Sequence, residues 1–234
     1  MAKTMYIGIG GVARKVKQPF VGIGGVARKV KNGFIGVGGV ARGCYQGVTY
    51  LYNSGDECTS LTGGWQFPTI QTASNLGANP VFDTNVSGGH TMTRTKNTNN
   101  INLKITASSN LQLGVISMYC KNSIAFDGYK KLCMELDYSM KGSTSYASSA
   151  QAYMNFAVWS VAPSGTKVYN TSLAKIGITG HNNTSSVNTS ANGYTLELDV
   201  STVSGNGWVN FYSLIYEMNS GFVSNAVIKK VWLE

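Results

Sequence analysis

Acidic side chains and histidines are scarce in this chain. Its 234 residues hold ten Asp and Glu and only two histidines, His90 and His181. Charged residues of both signs make up 12%, about half the usual share. Both histidines stand in polar stretches, SGGHT and TGHNNT, and no GxSxG motif occurs. So few bases leave little with which to activate a nucleophile, and the composition argues against an enzyme of any kind. Cysteine is limited to Cys44, Cys58, Cys120 and Cys133, none in a CxxC pair. With two histidines, that pattern does not describe a zinc site. The thiols read as buried and free, although Cys120 and Cys133 could lie on neighbouring strands of one hairpin.

Long apolar runs are missing too. Nothing approaches the roughly 18 consecutive apolar residues of a membrane-spanning helix. The opening MAKTMYIGIGG lacks an apolar core of the secretory kind, so no signal peptide is expected and synthesis in a bacterial cytoplasm is. Sequons at Asn85, Asn170, Asn182, Asn183 and Asn188 then mean only loops rich in Asn and Thr. Helical periodicity of useful length is absent as well.

What is present is a motif written three times. Tyr6 opens YIGIGGVARKVKQP, Phe20 opens FVGIGGVARKVKNG and Phe34 opens FIGVGGVARGCYQG, at a spacing of 14 residues. A fixed period is the mark of a repeat architecture. A Gly-Gly pair between two short apolar runs signals a two-residue hairpin turn, since glycine accepts positive φ. Each unit therefore reads as a β-hairpin. Residues 1–47 form an arm of three. An isolated hairpin is marginal in water, so the arm needs neighbours, either copies of itself or another protein.

The same stretch imitates a nucleotide-binding fingerprint. Gly8, Gly10 and Ala13 fit GxGxxA, as do Gly22, Gly24, Ala27 and Gly36, Gly38, Ala41. That chemistry needs a strand before the turn and a long helix after it. The next copy begins within 14 residues, too close for a crossover connection. The match is therefore set aside, and no cofactor is expected.

The GVARKVK repeats, joined by YIG-like and FIG-like segments, resemble the N-terminal arms of structural proteins in tailed bacteriophages and prophages of Gram-positive bacteria. The resemblance is strong over residues 5–43. It continues more weakly into LYNSGDECTSLTGGW, from Leu51 to Trp65. It implies a virion location and a non-enzymatic role, and it carries over no catalytic residue. It does not say whether the protein belongs to tail, baseplate, fibre or capsid surface. By the same analogy a homo-oligomer is expected, with a trimer as first guess.

Charge is placed unevenly. Residues 1–47 hold Lys3, Arg14, Lys15, Lys17, Arg28, Lys29, Lys31 and Arg42 and no acid; residues 48–234 hold 11 basic and 10 acidic residues. A neutral body with a cationic arm points to an acidic partner for the arm. An acidic protein surface is favoured over nucleic acid, because the cations sit in ordered-looking hairpins at about three per unit. The expected anchoring residues are those cations, Lys3 aside, with Tyr6, Phe20 and Phe34.

Residues 48–70 read as a connector packed on the body, with a strand-like Val48–Tyr52, a turn at Asn53–Asp56 and an anchor at Trp65. From residue 71 the pattern is strands between loops rich in Asn, Ser and Gly. Strands are expected at Asn100–Ala107, Leu111–Tyr119, Lys131–Met140, Ala152–Val161, Leu173–Thr179, Tyr194–Val200, Gly207–Met218 and Ala226–Leu233. Leu132, Met134, Leu136 and Tyr138 alternate with polar neighbours, as do Tyr194, Leu196, Leu198 and Val200. Such alternation means one face on a core and one face wet. The fold expected for residues 71–234 is an antiparallel β-sandwich of the jelly-roll type.

Two carboxylate pairs, Glu135 with Asp137 and Glu197 with Asp199, stand two apart on strands. A glycosidase needs carboxylates on either side of a bond. Groups two apart on one strand point the same way, so solubilising residues are the preferred reading and a cell-wall glycan hydrolase the disfavoured one. Trp65, Trp159, Trp208 and Trp232 read as core or edge anchors. Trp208, beside Gly205-Asn206-Gly207, and Tyr146, in GSTSYASS, are the candidates for stacking on a host-surface glycan. The expected protein is thus a tail, baseplate or fibre component, with a capsid decoration or head fibre as the alternative.

Overall fold

The computed structural model describes residues 6–9, 11–16, 19–23, 25–30, 32–37, 40–67, 85–86, 90–108, 111–144, 150–162, 172–182 and 185–234. The arm comes first, as strands β1 (Tyr6–Ile9), β2 (Val12–Lys15), β3 (Phe20–Ile23), β4 (Val26–Lys29), β5 (Asn32–Val37) and β6 (Val40–Gln46). Among the described residues they pair as β1 with β2, β3 with β4 and β5 with β6, giving three separate two-stranded ladders. Ile9 opposes Val12 and Ile23 opposes Val26, so each turn spans two residues. Gly11 and Gly25 take φ of 77° and 78° there, a conformation that costs a side-chain-bearing residue.

The body then runs through β7 (Thr49–Asn53), a single helical turn α1 (Thr59–Thr62), β8 (Trp65–Gln66), β9 (Asn85–Val86), β10 (His90–Lys96), β11 (Ile101–Ala107), β12 (Leu111–Cys120) and β13 (Ile124–Ala125). It continues as β14 (Lys131–Ser143), β15 (Gln151–Trp159), β16 (Ser172–Asn182), β17 (Ser186–Asp199), β18 (Asn206–Met218) and β19 (Val223–Leu233). One sheet has the order β10-β11-β19-β14-β17, with β7 beside β19. The other has the order β16-β15-β18-β12-β8, with β13 on β18 and β9 on β12. The named pairs are antiparallel. From β11 onward the long strands mostly alternate between the sheets, as in a jelly roll. The protein is thus all-β, a hairpin arm followed by a jelly-roll-like sandwich.

Alternation explains the layers. Leu132, Met134 and Leu136 of β14 and Ile228 of β19 meet Met154, Phe156 and Val158 of β15 and Phe211 of β18 in one buried core. Between the sheets, Ser213 and Ser224 share a buried hydroxyl hydrogen bond of 2.7 Å. Segment 48–70 is more than a connector. It supplies β7 to one sheet and β8 to the other, and Leu51, Tyr52 and Trp65 lie in the core. The Trp65 indole donates to the Leu51 carbonyl at 3.1 Å. Among the described residues the core draws nothing from the arm.

Several strand expectations shift. β17 begins eight residues before Tyr194, and β14 runs three beyond Met140. Tyr194 does not join the core. The β14–β17 register slips between Leu136 and Tyr138, and Gly193 takes a φ of 61° beside that slip. Tyr194 is left exposed, edge-on to Tyr138 with ring centroids 5.4 Å apart. Cys120 and Cys133 are not on neighbouring strands. They belong to β12 and β14, in different sheets, and both are free, as is Cys58. Burial pushes the Cys120 and Cys133 thiols up to about 12.

Candidate contact surfaces

Hairpin register sorts each arm unit into two faces. In the first, Tyr6 opposes Lys15, Ile7 opposes Arg14, Gly8 opposes Ala13 and Ile9 opposes Val12. Opposed residues share a face and successive residues alternate. Tyr6 and Phe20 are 59% and 62% exposed, and Arg14 is exposed. The backbone positions of Lys15, Arg28, Lys29, Phe34 and Arg42 follow from the same registers. Lys17 and Lys31 lie outside the described residues. A cleft of about 400 Å³ adjoins the arm's junction with the body, with Val30, Val48, Tyr50, Asp56, Cys58 and Leu61 among its lining. Burial and the Asp56 carboxylate push the Cys58 thiol up to about 11, so it is protonated at neutral pH.

The wet face of the first sheet is an ion-pair lattice. Lys229 donates to Asp137 at 2.6 Å and Lys230 to Glu135 at 2.7 Å, while Lys131 pairs with Glu197. Asp199 accepts from the Ser201 amide at 2.8 Å. The lysine hydrogen bond holds Asp137 below the usual carboxylate range, and the Ser201 hydrogen bonds do the same for Asp199. A glycosidase acid needs a raised value instead. These carboxylates are occupied surface groups.

The outer face of the second sheet is different. There β15 carries Tyr153, Asn155, Ala157 and Trp159; β18 carries Trp208, Asn210, Tyr212, Leu214 and Tyr216; β12 carries Val115, Ser117 and Tyr119. Five of them, Val115, Ala157, Trp159, Tyr212 and Leu214, form a second buried cluster, with Tyr153 and Tyr216 packed against it. The Tyr153 and Tyr212 rings meet edge-on at 6.2 Å, and Trp159 and Tyr212 lie 6.5 Å apart with 37° between planes. Register pairs Trp159 with Trp208, Ala157 with Asn210 and Asn155 with Tyr212. The first and last of these rows stand about 13 Å apart, at about 3.3 Å per residue. The Trp159 and Tyr212 rings must therefore lean toward each other across the Ala157–Asn210 row. Small Ala157 leaves room for that. Asn210 beneath them is fully buried, with Nδ2 donating to the Met118 carbonyl at 3.1 Å and Oδ1 lacking a partner among the described residues. Burial lifts the Tyr153 phenol to about 12 and pushes Tyr212 higher still.

Of the two glycan candidates, Trp208 is half-buried on this face, and Tyr146 lies outside the described residues. Sequence reasoning missed the cluster around Trp208. Its signal was a second alternation, Tyr153-x-Asn155-x-Ala157-x-Trp159 and Trp208-x-Asn210-x-Tyr212-x-Leu214-x-Tyr216, out of phase with the core residues. Among the described residues no group of three His, Cys, Asp or Glu could hold a metal ion, and no helix is long and apolar enough to cross a membrane.

No family model and no curated protein matches the chain. Among solved structures it is similar to a carbohydrate-binding module specific for non-crystalline cellulose, at 10% identity and a TM-score of 0.34, covering 64% of this chain and 82% of that one. It is also similar to a mannan-recognising carbohydrate-binding module, at 6% identity and a TM-score of 0.33, covering 80% of this chain and 95% of that one.

Proposed function

We propose that the chain is a non-catalytic structural protein of a tailed-phage or prophage particle, a tail, baseplate or fibre component. Its arm fastens it to other virion proteins. Its sandwich meets the host surface or neighbouring subunits, with half-buried Trp208 as the candidate contact for a host glycan. One observation carries the reading. Three separate hairpins with exposed apolar residues, in a stretch of residues 1–47 that holds eight cations and no acid, precede a nearly neutral sandwich whose core, among the described residues, draws nothing from them. An element that stands outside the body's core and leaves apolar residues in water is built to be covered by something else.

The test is complementation of particles that lack this protein. The full-length chain should be incorporated, and a chain without residues 1–47 should stay in the unassembled fraction while its sandwich melts at the same temperature. Normal incorporation of the shortened chain would refute the anchoring role. Gold labelling of complemented particles then separates tail, baseplate or fibre from the head.

A further inference from the structure

We infer that the arm docks through one particular face of each hairpin, the aliphatic and arginine face, onto an apolar protein surface rimmed with carboxylates. The inference rests on the arm being the anchor and goes on to name the face and the chemistry of its occupant.

The registers define that face. Ile7, Ile9, Val12 and Arg14 share it in the first unit, and Val21, Ile23, Val26 and Arg28 share it in the second. In the third, Ile35 opposes Arg42 and Val37 opposes Val40. Three β-branched aliphatics and one arginine thus recur in every unit. The opposite face holds Tyr6, Gly8, Ala13 and Lys15, then Phe20, Gly22, Ala27 and Lys29, then Phe34, Gly36, Ala41 and Gly43. The lysine at the position of Lys15 and Lys29, replaced by Gly43 in the third unit, is lost from this second face. The aliphatic face keeps both its apolar set and its charge three times over.

The two faces differ in what they offer. Glycine and alanine make the aromatic face thin, with one ring per unit. On the aliphatic face Val12, Ile23 and Val26 are 59%, 55% and 58% exposed. Apolar area of that kind is stabilised by removal from water. Arginine beside it presents a planar fork that pairs bidentately with a carboxylate. Residues 1–47 contain no acid, so another copy of the arm cannot supply the carboxylates, and face-to-face stacking of arms would set arginines against arginines. Phosphate groups could meet the arginines, but a nucleic-acid backbone offers nothing to three aliphatic side chains. An acidic, apolar protein surface answers both halves of the face.

The experiment places a photo-crosslinking p-benzoylphenylalanine in the full-length chain within assembled particles. It is put at Val12 or Val26 on the aliphatic face, or at Ala13 or Ala27 on the other. The expected result is a crosslink from positions 12 and 26 to a segment of another virion protein that contains Asp or Glu among apolar residues. Yields should be about tenfold above those from positions 13 and 27. In parallel, Arg14, Arg28 and Arg42→Lys together should lower incorporation several-fold, and by more than Lys15 and Lys29→Gln does. Equal yields from both faces overturn the inference, as do crosslinks only between copies of this chain, crosslinks to the genome, or normal incorporation of the lysine set in place of arginine. None of those outcomes touches the anchoring role, which fails only if removal of residues 1–47 leaves incorporation intact.

Discussion

Phe156 and Phe211 face each other across β15 and β18, and neither is exposed. Removing either ring leaves a hole that the surrounding β-branched and methionine side chains fill only in part. Phe156→Ala and Phe211→Ala should each cost about 3–5 kcal/mol, read as a lower urea midpoint with unchanged slope. Because the rings are neighbours, the double variant should cost less than the two together. Asp137 tests the surface lattice. Its carboxylate accepts from Lys229 and from the Gly193 amide at 2.7 Å, and its pKa is lowered, with the lysine hydrogen bond as the main cause. A carboxyl that is more acidic in the folded state stabilises fully above its ordinary value of about 3.9, and the contribution fades as pH falls below that value. Asp137→Asn should therefore destabilise at pH 7, by about 0.5–1 kcal/mol because the pair is partly exposed. As pH falls below the ordinary carboxyl value the gap between variant and parent should narrow. An unchanged gap would show that packing, not charge, is what the substitution removes.

At the scale of elements, legibility followed the strength of alternation. β14 and β19 bury every second residue along much of their length, and their apolar sets stand out in the sequence. β10 was not anticipated. Its sequence His-Thr-Met-Thr-Arg-Thr-Lys offers one apolar residue, Met92, and it sits at a sheet edge, where pairing with β11 on one side suffices. The first half of β17 was missed for a similar reason, since Ser, Asn and Thr surround Val187 there. The aromatic outer face was hidden by a different effect. Both phases of β15 and β18 are mostly apolar, aromatic or amide, so neither reads as the wet one. Turn geometry was easier to read. Asn53–Asp56 was expected as a turn, and there Gly55 takes a φ of 102°. A Cβ on Gly55 would lie 1.9 Å from the Thr98 carbonyl oxygen. Gly55→Ala should thus cost at least about 2 kcal/mol, since strain and a backbone clash combine. Thermal melting of the variant decides this, and an unchanged midpoint would mean that the 97–99 turn moves aside freely.

For the whole molecule, the asymmetry between arm and body leads to opposite salt dependences. Every hairpin strand has one edge without a partner in its ladder, and such edges pair readily with other chains. We predict that the full-length protein self-associates through those edges, with a trimer as the expected state, leaving the aliphatic face free for its partner. Each copy brings eight arm cations and no arm acid, so copies of the arm repel one another, and salt weakens that repulsion. At about 0.01 M salt the repulsion reaches some 30 Å; at about 1 M it reaches about 3 Å. Self-association should therefore strengthen as salt rises over that range, while docking on an acidic surface should weaken. Light scattering on full-length protein at micromolar concentration, across a salt series, reads the first. Retention on particles washed in the same series reads the second. A strict monomer at every salt concentration, alone and in the particle, would remove the oligomer. Self-association that weakens with salt would mean that attraction between unlike charges, drawn from the sandwich rather than the arm, holds the copies together.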